Sequence, residues 1–358
     1  MKLNKILVKN FRIFKELEID DFKNINLIVG NNNSGKTSLL EAIFLSIGIS
    51  NPNLTLSIDR FRGLIHDESE DFRFIFHNLR YKDIISIELE FTNPIQIREL
   101  LIKPTYDNVT IINNLSNTNE LISSTSKPEN RNSDGIEYKF SISNNKSNKK
   151  EWKTSSIRYK EDGLIVKQPK SYKEGLFGIF VRPISTLGDV YERLDKIIIE
   201  KKHMELIEAL KNIDDNIIDI TLGAKNMIYF DVGIERRIPV QIMGDGIIRL
   251  LSILTAIERA KDGFVIIDEI ENGFHYSVLP KLWKIVYNTA QQYNVQIFAS
   301  THSIECITAF RDFYSENLSL EDNFRLYRLN RLRNGVVKVV KYDYEVLDSS
   351  LESNWEIR

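Results

Sequence analysis

Residues Gly30 to Thr37 read GNNNSGKT and follow the apolar run Ile25, Leu27, Ile28, Val29. The string fits the spacing GxxxxGK[ST], in which a buried strand passes through a glycine-bearing loop into the first turn of a helix. The chemistry this pattern serves is anion binding. Gly30 and Gly35 permit backbone angles that let successive N–H groups turn inward around a phosphate. Lys36 supplies a point charge for the β and γ phosphates, and the Thr37 hydroxyl is placed to hold Mg²⁺. The helix expected from Thr37 to Leu45 adds the positive end of its dipole. Leu39, Leu40, Ile43, Phe44 and Ile47 give that helix its apolar stripe.

Three more stretches carry related chemistry. Phe264 to Ile267 are apolar and are followed by Asp268 and Glu269. This is the pattern of a fully buried parallel strand with carboxylates at its C-terminal end, the edge at which open α/β sheets bind ligands. Asp268 is suited to hold Mg²⁺, directly or through water, and Glu269 to accept a proton from attacking water. Glu271, Asn272 and His275 follow closely enough to line the same site, the alternative for His275 being a core-facing position. Val295 to Ala299 reads as another buried strand, ending in Ser300, Thr301, His302 and Ser303. His302 is there placed to sense a γ phosphate. Ser and Thr also suit an N-cap for the helix Ile304 to Phe310, and both hold together if Ser303 caps while His302 faces the nucleotide. Finally Met243, Gly244, Asp245 and Gly246 stand directly before a long apolar helix, Ile247 to Ala260; glycines there allow close approach of N–H groups to an anion.

The elements that position these residues are legible in outline. Leu3 to Lys9 and Phe14 to Ile19 alternate apolar and polar around a short joint at Asn10, Phe11 and Arg12, which predicts an antiparallel hairpin one strand from the phosphate loop. Arg12 there suits either a solvated turn position or a guanidinium that reaches the nucleotide. Ile84 to Phe91 is a strand that Pro94 ends. Val109 to Ile112 and Tyr138 to Ile142 are short β-like pieces in an Asn- and Ser-rich segment, of which Asn113 to Gly135 reads as a long exposed loop. Strands resume from Trp152 to Val166, and the whole predicts one antiparallel sheet beside a nucleotide-binding core. Val190 to Ile213 has helical periodicity and suits either a projecting arm or a helix pair packed on the core. Ile217 to Thr221 and Met227 to Asp231 read as strands. Phe324 to Leu332 and Val336 to Tyr342 form a hairpin around Asn334 and Gly335.

With 358 residues and 42% hydrophobic content, the chain is long enough for two or three subdomains. The expected division is a first lobe at 1–185 with the phosphate loop, containing an Asn-rich loop at about 106–150, a helical arm with connecting strands at 186–240, and a second lobe at 241–358. Apolar runs are too short to span a bilayer and the start lacks a signal-peptide core, so the expectation is a cytoplasmic protein with no membrane partner. One cysteine, Cys306, excludes a disulfide framework and a cysteine-rich metal site; a small buried side chain is the expectation for it. A net charge of −2 provides no global field for nucleic acid.

With GNNNSGKT, MGDG, FVIIDE and FASTHS in this order, the chain resembles the ABC-type ATPases of the Rad50, SMC, RecF and OLD group, most closely the stand-alone bacterial ATPases of the AAA15 and AAA21 type found in phage-defence operons. The resemblance implies an α/β P-loop fold with a mixed core sheet, an antiparallel β subdomain and a helical arm. It also implies an Mg²⁺-dependent ATPase that forms a homodimer through ATP and regulates a separate effector, a nuclease or toxin. By the same match Arg12, Gly30, Asn32, Asn33, Ser34, Gly35, Lys36, Thr37 and Ser38 contact the nucleotide, and Gly244, Asp245 and Gly246 contact it from the opposite subunit. Asp268 and Glu269 are then the Walker B acids and His302 the switch histidine. Two departures stand out: the group has a Ser where Gly244 stands, and no Gln is assignable to the Q-loop. The alternative is a RecF-like DNA-clamping ATPase, for which Lys201, Lys202, Arg236, Arg237 and Arg325 to Arg333 are scattered candidates. A nuclease of the OLD type is not expected, because the residues after His302 carry no DxD-like acid cluster.

Overall fold

The structure, a computed structural model, describes residues 1–64, 72–106, 133–144, 150–160, 163–183, 187–317, 323–353 and 357. The chain opens with the expected hairpin, β1 (Lys2–Phe11) and β2 (Phe14–Ile19), closed by Phe11 opposite Phe14. Next comes β3 (Ile25–Val29), buried at every residue because it lies inside a sheet covered on both faces. It leads into α1 (Lys36–Ile47) and then α2 (Asn53–Phe61), a short helix that the charged run after Asn51 did not announce. Strict alternation of buried and half-buried residues marks β4 (Ile85–Thr92) as a strand with one face on a core. β5 (Gln96–Thr105), β6 (Gly135–Asn144), β7 (Trp152–Lys160) and β8 (Gly163–Lys167) follow. The pieces expected at Val109 to Ile112, and most of the loop expected at Asn113 to Gly135, lie outside the described residues.

The second half holds β9 (Gly178–Val181), α3 (Leu187–Ile199), α4 (His203–Lys211), β10 (Asp219–Leu222), β11 (Ile228–Asp231) and β12 (Ile238–Pro239). After them run α5 (Asp245–Arg259), β13 (Phe264–Ile267), α6 (Leu279–Gln292), β14 (Gln296–Ser300) and α7 (Ile304–Glu316). The chain finishes with β15 (Phe324–Arg331), β16 (Val337–Tyr342) and α8 (Tyr344–Glu352).

Two large sheets organise these elements. One is antiparallel throughout, in the order β2-β1-β4-β5-β6-β7-β8. The other, in the order β16-β15-β3-β14-β13-β9, is parallel except for its edge strand β16. This corrects the placement of the N-terminal hairpin, which pairs with β4 rather than lying next to β3 in the phosphate-loop sheet. The chain leaves β2 and crosses to the other sheet because β3, apolar apart from Asn26, needs cover on two faces, whereas β1 and β2 need it on one.

Period-two alternation in the parallel strands sorts the core into two. Ile25, Leu27, Val29, Val265, Ile267, Ile297 and Ala299 face one core with α3 to α7, while Ile28, Phe264, Ile266 and Phe298 face another shared with α1 and the antiparallel sheet. Each large apolar side chain buried here contributes about 1.5–3 kcal/mol. Of the two readings for Val190 to Ile213, the structure has the packed pair: Val190, Leu194, Ile197, Leu206, Ile207 and Leu210 are all buried in the first core.

Candidate nucleotide site at the parallel sheet edge

Three adjacent strands, β3, β14 and β13, deliver the candidate residues to one edge. Register sets this: Ile28 stands opposite Ser300, and Leu27 and Ile267 both stand opposite Ala299, so the three chains leave the sheet level with one another. The loop from β3 then curls back over the edge through two glycines in left-handed territory, Gly30 at φ 145° and Gly35 at φ 107°. A Cβ on Gly30 would lie 2.5 Å from the Leu329 carbonyl oxygen, a strand that cannot yield, and 2.7 Å from Ser34 Oγ. Asn32 and Asn33 are exposed at the loop tip, whereas Ser34 and Ser38 are buried. Ser34 Oγ has no hydrogen-bond partner among the described residues. An orphaned hydroxyl inside a glycine cradle fits a ligand rich in acceptor oxygens.

Lys36 Nζ donates to the carbonyl oxygens of Gly30 at 2.7 Å and Asn31 at 3.2 Å, which holds the ammonium in the mouth of the loop. Burial lowers its pKa from the ordinary lysine value, and the charges of Asp268, Glu269 and Glu271 oppose that shift. The Thr37 hydroxyl donates to Asp268 Oδ2 at 3.0 Å across 231 residues of sequence. Ser300 Oγ donates to Asp268 Oδ1 at 2.5 Å and accepts the Glu269 N–H at 2.9 Å. A hydroxyl beside a carboxylate is a hard oxygen donor set of the kind Mg²⁺ takes. Among the described residues no group of three or more His, Cys, Asp or Glu is arranged to hold a metal, so phosphate oxygens and water would have to complete such a shell.

Glu269 adopts φ 50°, a left-handed backbone that costs a non-glycine residue about 1–3 kcal/mol. Its side chain is 40% exposed and lies 3.9 Å from His302 Nδ1. Glu271 Oε1 accepts the His302 N–H at 3.0 Å and lies 3.2 Å from its Nδ1, so Glu271 orients the imidazole beside Glu269. Ser303 caps α7, its Oγ accepting the Cys306 N–H at 3.1 Å. Cys306 itself is fully buried, and burial pushes its thiol pKa up. The core-facing reading of His275 does not hold: it is exposed, caps a short turn by accepting from Ser277 N–H, and stacks near Tyr276.

Arg12 is placed differently from the expectation of a guanidinium reaching out to the nucleotide. It donates from Nε to Glu41 at 3.0 Å, from Nη2 to Asp59 at 2.6 Å and from Nη1 to the Phe74 carbonyl at 2.9 Å. Both carboxylates are fully buried, and the arginine fork is committed to them. Arg62, which ends α2, completes the network through Glu41 at 2.7 Å and reaches Ser38 Oγ at 3.2 Å. Burial works against its charge, but the hydrogen bond and charge of Glu41, helped by Asp268 and Asp59, outweigh it and raise the pKa. Sequence reasoning missed Arg62, Glu41 and Asp59. The one signal was Glu41, a carboxylate inside the apolar stripe of α1.

Gly244, at φ 89°, caps α5, and Gly244 and Asp245 are exposed at its first turn. The helix start packs on the loop after Glu269: a Cβ on Gly246 would lie 3.1 Å from the Gly273 carbonyl oxygen. No helix among the described residues is long and apolar enough to cross a membrane.

A glycine cradle that turns a parallel strand into a helix, with a hydroxyl–carboxylate pair at the neighbouring strand end, defines a P-loop ATPase-type α/β fold. A family model described as "AAA domain" matches residues 5–227, more than half of the chain, which therefore belongs to the AAA-domain family. A second model, described as "AAA domain, putative AbiEii toxin, Type IV TA system", matches residues 195–307. The chain is 25% identical over 331 residues to a protein of Helicobacter pylori named "ATP/GTP phosphatase", covering 85% of this chain and 86% of that protein. It is 42% identical over 72 residues to the DNA replication and repair protein RecF of Actinobacillus pleuropneumoniae serotype 5b, spanning only 20% of this chain and 19% of the relative. Among solved structures, the SMC head domain from Thermotoga maritima is similar at 15% identity and TM-score 0.48, over 96% of this chain and 100% of that one.

Proposed function

We propose that the protein is an Mg²⁺-dependent ATPase that closes as a homodimer on ATP and governs a separate effector, a nuclease or toxin, in bacterial anti-phage defence. The observation that carries the catalytic half is the Thr37–Asp268–Ser300 cluster, which ties the phosphate loop to the acid-bearing strand end. In this reading Gly30, Asn32, Asn33, Ser34, Gly35, Lys36 and Ser38 cradle the triphosphate, and Thr37 and Asp268 hold Mg²⁺, whose charge would help neutralise it. Glu269 orients and deprotonates the attacking water, and His302, held by Glu271, contacts the γ phosphate. The exposed first turn of α5, with Gly244, Asp245 and Gly246, supplies N–H groups to the site of a second subunit. The absence of a Ser hydroxyl at Gly244 leaves that contact to backbone amides and the helix dipole.

Support for hydrolysis comes from the family and from the Helicobacter pylori relative's name. The defence half rests on the resemblance and on the match of residues 195–307. The RecF-like DNA-binding alternative draws on a relative matched over only 20% of the chain. Several of its candidate cations are already committed: Lys202 to Glu200 and Glu258, Arg237 to Asp219, Arg325 to Asp21. The test is Glu269→Gln: bound ATP persists and a particle of twice the monomer mass accumulates with ATP and not with ADP. Full turnover in that variant would refute the assignment.

A further inference from the structure

Arg249 lies in the second turn of α5 and is 4% exposed. A buried guanidinium normally faces a carboxylate. Among the described residues this one donates only to main-chain carbonyls: from Nη2 to Asp268 at 2.7 Å and to Glu269 at 2.9 Å, and from Nη1 to Arg182. These oxygens stand at the C-terminal ends of β13 and β9, which are neighbours in the sheet. Burial lowers the Arg249 pKa to about 10, with the charges of Asp268, Glu271 and Glu269 acting the other way, so the group stays a cation near neutrality.

Glu269 is thus pinned on both sides of its left-handed Cα. Its N–H is held by Ser300 Oγ, and its carbonyl accepts from Arg249 and, within the following turn, from the Asn272 N–H at 3.1 Å. The direction in which its carboxylate leaves the backbone depends on that conformation, which an L-residue seldom adopts unaided. Arg249 is carried by the helix whose exposed first turn is Gly244 and Asp245, and a helix moves as a rigid unit over so short a span.

We infer that Arg249 is the positioning residue for Glu269, locking the peptide of the acid to α5 so that engagement of Gly244 to Gly246 by a second subunit aims the carboxylate at water. The inference rests on the ATPase reading above and extends it. Arg249 touches no reacting atom; it acts through the backbone of Glu269.

The experiment compares wild type, R249M, R249K, E269Q and the double variant R249M/E269Q in steady-state ATPase and fluorescent-nucleotide binding, with circular dichroism to verify folding. R249M is expected to lose about 100-fold in kcat, the scale of a misplacement of roughly 1 Å, with nucleotide affinity nearly unchanged. R249K, which keeps the charge and loses the planar fork, recovers part of the rate. In the E269Q background the R249M change costs nothing more, because the group it positions is already gone. Wild-type kcat in R249M, or losses that multiply in the double variant, would overturn the positioning role. If R249M does not fold, R249K alone decides: reduced kcat at unchanged affinity supports the role and a wild-type rate overturns it. A wild-type protein that leaves ATP intact overturns the ATPase reading itself, a result distinct from an active wild type beside an equally active R249M.

Discussion

Ser300→Ala removes one oxygen and two hydrogen bonds from the centre of the site. Ser300 is fully buried, donates to the Asp268 carboxylate at 2.5 Å and accepts the Glu269 N–H at 2.9 Å. A hydrogen bond to a charged group contributes about 1.5–3 kcal/mol, and a buried donor left without a partner costs about 1–3 kcal/mol. Because the two effects share one neighbourhood and relax together, their joint cost falls below the sum, at about 3 kcal/mol. That is a large part of a typical stability of about 5–15 kcal/mol. Urea unfolding followed by circular dichroism and by tryptophan fluorescence should show coincident transitions shifted to lower urea at unchanged slope. ATP turnover should fall with it, since Asp268 loses a donor and the Glu269 backbone loses its anchor. A shift of less than about 1 kcal/mol with normal turnover would show that Ser300 does not bridge the two acids in solution, and the reasoning from the strand register to the site would fail.

Two further outcomes are expected. Phosphate binds the protonated Lys36, whose pKa burial lowers, so nucleotide affinity should be flat at neutral pH and fall by up to about tenfold per pH unit above the folded-state pKa. The decline should therefore begin below the ordinary lysine value of 10.5, and Lys36→Arg should flatten it; a fluorescence titration showing constant wild-type affinity up to that pH would contradict the assignment. Glu41→Gln removes a fully buried charge from between Arg12 and Arg62 and should destabilise the fold by about 3–5 kcal/mol, read as a lowered melting temperature. An unchanged melt would mean the network contributes nothing to the antiparallel lobe.

The stations of the site were legible in the chain because each couples a local backbone demand to a local chemical one. GNNNSGKT needs glycine where the loop doubles back, and FVIIDE needs four apolar residues before its acids because the strand is covered on both faces. Such patterns are written in contiguous residues. The phosphate loop, the acid pair, the Ser303 cap and the helix after Met243 all belong to this kind.

What only the tertiary structure decided are the contacts between distant segments. Arg249 sits in IIRLL, where helical periodicity alone gives a polar residue no partner; its role appears only when the ends of β9 and β13 are brought beneath α5. Glu41 likewise reads as one polar position in an apolar stripe until Arg12 and Arg62 meet it from two separate segments. The N-terminal hairpin has the same alternation whichever sheet it joins, so its pairing with β4 was settled by which faces remained to be covered. Local sequence specifies backbone shape and the chemistry a residue offers; where buried charge is balanced depends on long-range packing, because the compensating groups are far away along the chain.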